Sequence, residues 1–231
     1  MPVPSIRAIL LVAVALWGTL ATGTASAQFG SVRRIVDGTA YTLDHGEFAV
    51  GLATPIEYGV LEDLTLMTHP ILDLLMTPNT SVRYKVLDGK VALAFNVSYI
   101  QTFLDPKQLD VPGTVAVYPI LTIPFSSRVA FSAQAGYRVD VSPVAHGMMF
   151  GGGLIVLATP ADLISLQAQD EYYRGRGLAR PTVILSYSHA FFQLRLSAGI
   201  AVGRFPIQVG SSSADVKDLW VYPVADVWWQ F

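Results

Sequence analysis

The stretch "VAFSAQAGYRVDV" (129–141) decides the fold. Val129, Phe131, Ala133, Ala135, Tyr137, Val139 and Val141 form one row. Ala130, Ser132, Gln134, Gly136, Arg138 and Asp140 form the other. Successive side chains on a strand point to opposite faces, so this is a β-strand with one greasy face and one small or polar face. The same period of two runs through "KVALAFNVSYIQTF" (90–103), where Val91, Leu93, Phe95, Val97 and Tyr99 alternate with Ala92, Ala94, Asn96 and Ser98. It returns in "FQLRLSAGIAVG" (192–203). These segments run about 11–14 residues, against about 5–6 for ordinary strands. A tilted strand crossing a bilayer needs roughly 9–11.

The connections alternate too. Tight turns are expected at "LEDL" (61–64), "LDGK" (87–90), "FSSR" (125–128), "TPADL" (159–163) and "SHAFF" (188–192). Asp88-Gly89 is a strong hairpin signal. Looser polar links are expected at 104–113, 140–147, 171–181 and 205–217, with shorter ones near "ATPIE" and "MTPNT". Short turns on one rim and longer loops on the other characterise transmembrane barrels. The expected strands are 46–54, 56–61, 64–74, 80–87, 90–103, 113–124, 128–140, 147–159, 163–172, 181–188, 191–204 and 218–231, twelve in all. If 46–61 is a single strand the count falls to ten. The fold class is all-β, a closed antiparallel transmembrane barrel.

Composition fits that reading. Of 231 residues, 52% are hydrophobic and 14% charged, well below the roughly 25% charged residues of ordinary domains. Yet outside the N-terminus there is no apolar run of about 18–20 residues, so helical spans are not indicated. Residues 1–27 read as a secretory signal peptide: Arg7, the apolar "AILLVAVALWGTL", then Ala25-Ser26-Ala27. Segment 28–45 is a more polar lead-in that either precedes the barrel or enters its lumen; the barrel itself is 46–231. The chain has no cysteine, so an exported product takes no stability from disulfides. A formal charge of -2 gives no footprint for nucleic acid.

The chain ends "LWVYPVADVWWQF" (219–231), with Phe231, Trp229, Val227, Ala225 and Val221 in one row and Pro223 interrupting it. With the leader, the alternation and the turn asymmetry, this ending resembles the Gram-negative outer-membrane β-barrel proteins. The resemblance implies location in the outer membrane, contact with its lipids and lipopolysaccharide, and a last strand read through Phe231, Trp229 and Val227 by the outer-membrane assembly machinery.

Candidate lumen residues follow from the polar rows: Arg83, Lys85, Gln134, Arg138, Asp140, Gln167, Gln169, Gln193, Arg195 and Asp226. The cations among them outnumber the acids, which points to a narrow pore for small polar or anionic solutes. The alternative is a closed interior network in a structural or lipid-interacting barrel. A basic outer-loop cluster, Arg174, Arg176 and Arg180, offers contacts to phosphates. A hydrolase is the third reading, through His69 with Asp73 or His146 with Asp140, but no nucleophile–base–orienter set is visible. No metal and no cofactor are expected.

Overall fold

The structure, a computed structural model, describes residues 29–52, 54–70, 73, 77–101, 113–141, 144–173, 177–178, 181–203 and 221–231. The chain forms strands β1 (Phe48–Gly51), β2 (Ile56–Leu61), β3 (Leu64–Thr68), β4 (Asn79–Leu87), β5 (Ala92–Ile100), β6 (Thr114–Pro124) and β7 (Val129–Val141). It continues with β8 (Val144–Leu157), β9 (Asp162–Tyr173), β10 (Gly177–Leu178), β11 (Thr182–Phe191), β12 (Leu194–Gly203) and β13 (Val221–Gln230). Neighbours in sequence pair antiparallel, β9 pairs both β8 and β11, and β13 returns to β1. Two-residue β10 only folds back onto β9, so twelve strands close a barrel.

The alternation holds in space. On β7, Phe131, Tyr137 and Val141 are exposed on the outer face, whereas Ala130, Ser132 and Asp140 are buried inside. Phe95, Val97, Leu121, Leu154, Leu166, Leu185 and Ile200 continue the exposed apolar wall. This outward apolar face is the reverse of a water-soluble barrel, whose apolar row fills the interior.

Three expectations need correction. The third strand stops at Thr68 rather than reaching residue 74, because Pro70 has no N–H for a ladder and starts a helical turn in which the Asp73 N–H bonds the His69 carbonyl at 3.1 Å. The link at 140–147 is not loose: Val141 pairs with Val144, so only residues 142–143 intervene. The first strand is four residues long rather than nine.

The lead-in enters the barrel. Phe29 donates its N–H to the Pro160 carbonyl (2.8 Å) in the β8–β9 turn, and Val32 donates to Ser127 (3.0 Å) in the β6–β7 turn. A 3-10 turn, Val32–Arg34, is capped by the Ser31 hydroxyl. From it Arg33 reaches Asp88 (2.8 Å) and the Gly89 carbonyl (2.5 Å) in the β4–β5 turn. The Ala40 N–H bonds Thr122 Oγ1 (2.8 Å), Thr42 Oγ1 bonds the Glu62 carbonyl (2.7 Å), and the Leu43 N–H bonds Thr65 Oγ1 (3.0 Å). The segment thus crosses the tight-turn end of the lumen, strapped to four turns. Its side chains supply the core: Phe29 and Val32 are 0% exposed and pack on Ala130, Ile155 and Leu163, and Tyr41 packs on Ala92, Ala94 and Ile120.

Candidate lumen chamber

Above the segment lies a chamber with two contrasting halves. The polar half, about 340 Å³, is lined by Arg83 and Ser81 of β4, Asn96 of β5, Tyr118 of β6, Gln134 of β7, and Gln167 and Gln169 of β9. Asp37 of the segment and Glu57 of β2 also line it, as do Thr68, His69 and Asn79 near the end of β3 and the start of β4. Arg83 is 6% exposed, and its guanidinium donates to the Val36 (2.6 Å) and Tyr41 (3.2 Å) carbonyls, tying β4 to the segment. Asn96, 1% exposed, donates its amide N–H groups to Ser81 Oγ and the Tyr118 hydroxyl, both at 2.8 Å. Asp37 faces the lumen, and its enclosure by the barrel wall raises its carboxyl pKa above the ordinary range while Arg83 pulls the other way.

The apolar half, about 310 Å³, shares Asp37, Pro55, Glu57 and Gln167 with the first, so the two are continuous. Its walls carry Leu43, Ile155, Leu163, Ile184, Val224 and Trp228. Four inward serines also lie there, in bonded pairs: Ser165 with Ser186 at 2.7 Å and Ser188 with Ser197 at 2.5 Å.

The expected lumen residues part company. Arg83, Gln134, Gln167, Gln169 and Asp226 line the chamber. Lys85 sits at the tight-turn rim between Asp63 (3.4 Å) and Asp88 (3.1 Å). Arg138 lies toward the loop rim, bonded to Asp140 (2.9 Å) and Glu171 (3.0 Å), and Thr114 donates to Asp140. Arg195 is stacked between the Phe29 and Trp228 rings, 4.6 and 4.1 Å from their centroids. Gln193 is in the two-residue turn between β11 and β12 rather than on a strand, and its carbonyl accepts from the Gln230 N–H. Three of the four cations are therefore held away from the chamber; Asp37 and Glu57 lie where its halves meet, with Arg83 on the polar side and Asp226 and Arg34 on the apolar side. Arg174, Arg176 and Arg180 lie outside the described residues, as does the leader.

Of the two expected histidine pairs, His146 and Asp140 separate, whereas His69 and Asp73 stay one helical turn apart. His146 bonds the Tyr137 hydroxyl at 2.6 Å on the outer face, whereas Asp140 points inward. Asp73 takes bonds from Thr68 and Asn79. Among the described residues no group of three His, Cys, Asp or Glu side chains is gathered to hold a metal ion. Asn96 and Ser81 were readable as inward from their strands' alternation. Asp37 was not, because it sits on an irregular segment with no period to read.

Phe231, Trp229 and Val227 lie on the outward row of β13. Phe231 exchanges both backbone hydrogen bonds with Phe48 (2.8 and 3.1 Å), which closes the ring. Comparison with known proteins finds no family model that matches the chain and no curated protein that matches it.

Proposed function

We propose that the protein is an integral outer-membrane barrel, non-enzymatic, exported through its leader, and non-conducting because its own N-terminal segment closes one end of the lumen. The observation that carries the closed reading is the Phe29–Leu43 segment, strapped to four tight turns with its apolar side chains buried. The outward wall of Phe95, Leu154, Leu166, Leu185 and Ile200 supports the lipid environment, since a contiguous apolar surface of that extent needs a non-aqueous partner. On this reading the outer row of β13 is also the contact for lipid and for the assembly machinery. The pore expectation rested on an excess of inward cations, and Lys85, Arg138 and Arg195 are each engaged by other groups.

Planar-bilayer recording tests the proposal. The intact protein, extracted from the outer membrane in detergent, should insert without steady conductance. A stable open-channel current from the intact chain would refute closure and restore the pore.

A further inference from the structure

Pairing in the barrel wall is sparsest on the two sides of β1. β12 and β13 share nine residue pairs and β8 and β9 share eleven, but β13 and β1 share three and β1 and β2 two. The last pair of the β13–β1 seam is Gly51 with Trp228, so Val221–Ala225 extend past the end of β1. The apolar half of the chamber reaches this place: Ala225, on the outward row, lines it together with Thr54 and Pro55 of the β1–β2 link. Its serines satisfy one another, and Leu43, Ile155, Leu163, Ile184, Val224 and Trp228 make the wall mostly apolar, although Arg34, Asp37, Glu57, Asp226 and Gln230 also line it. Transmembrane barrels ordinarily have polar interiors. A mostly apolar cavity of about 310 Å³ beside a polar one falls within the size of small-ligand sites.

We propose that the chamber binds a single-chain amphiphile taken from the membrane through the β13–β1 seam. The tail lies in the apolar half against Trp228. The head, carrying no negative charge, lies against Gln134, Gln167, Gln169 and Asn96. An anionic head is disfavoured because Asp37 and Glu57 line the polar half, where Arg83 is already engaged by the Val36 and Tyr41 carbonyls. This inference rests on the membrane reading above.

Trp228 faces inward and Trp229 outward, so the two report separately. Two full-length forms each keep one of them, the other three tryptophans (Trp17, Trp220 and the second of the pair) being replaced by Phe. Both are placed in lipid nanodiscs. Brominated diacyl lipid should quench Trp229; no quenching there refutes membrane insertion and this inference with it. In unbrominated lipid, bromododecyl maltoside should quench Trp228 at least twofold and saturably. Ser186→Phe and Val224→Phe, which fill the cavity, should each abolish that effect while keeping a heat-modifiable gel shift. Quenched Trp229 with unquenched Trp228 overturns the amphiphile site alone. So does Trp228 quenching that survives both filled variants. Stronger quenching by bromododecanoate than by the maltoside overturns the head-group assignment.

Discussion

Gly59 marks a close approach of backbone to backbone between wall and lead-in. Its N–H donates to the Glu47 carbonyl (2.9 Å), and its carbonyl accepts from the Gly46 N–H (2.8 Å). A Cβ at this position would stand 2.0 Å from the Asp44 carbonyl oxygen, far inside van der Waals contact. Gly59→Ala should therefore push the lead-in away and cost roughly 1–3 kcal/mol, read as a lower urea midpoint for unfolding in detergent. In the sequence this glycine is one of 19, with nothing local to set it apart. Its role exists only because residues 44–47 fold back beside it. Arg83 shows the same division. Alternation along "SVRYKV" put it inside, but its partners, the Val36 and Tyr41 carbonyls, are more than 40 residues away and came from a segment with no periodic signal.

Among the elements, β13 resolves the problem of Pro223. Backbone groups along an antiparallel strand alternate between its two neighbours. Phe231 and Val227 bond toward β1, to Phe48 and Leu52, whereas Gln230 bonds toward β12, to Gln193. Pro223 shares the parity of Phe231 and Val227, so its nitrogen faces the β1 side, beyond the point where β1 ends. The missing N–H takes nothing from the β12 ladder, where Pro223 stays in register with Ile200. Pro223→Val should change stability by no more than about 0.5 kcal/mol. Val224→Pro, one residue on, turns the defect toward β12 and should cost roughly 1–3 kcal/mol by leaving a ladder acceptor unmade. Parallel urea titrations of the two variants check the contrast; equal losses would place the nitrogen wrongly. The long strands were legible because their alternation is uninterrupted. β1 and the end of β3 were not, since Pro55 and Pro70 break short apolar stretches whose length is then set by their neighbours.

For the whole molecule, the barrel and its plug are separable pieces of physics. The ring is held by ladder hydrogen bonds from β1 round to β13. The plug is held by apolar burial, with Phe29, Val32, Ile35 and Leu43 each contributing about 1.5–3 kcal/mol before the entropy of ordering the segment is subtracted. Deleting residues 29–43 should therefore leave a heat-modifiable barrel of lower thermal stability and open its tight-turn end. Bilayer recording of that variant should show steady current where the intact chain shows none. Loss of the gel shift on deletion would mean instead that the ring needs its plug to close. Alternation, turn spacing and composition by themselves determined an all-β closed barrel with its greasy face outward, because each strand's two faces are encoded locally, at a period of two; the choice of twelve strands over ten was left to the structure. Only the tertiary structure decided what occupies the lumen. An irregular segment has no period, and its hydrogen bonds go to turns far along the chain. The chamber's acidic middle, its apolar half and the short seam beside it arise only when the strands are placed around that segment.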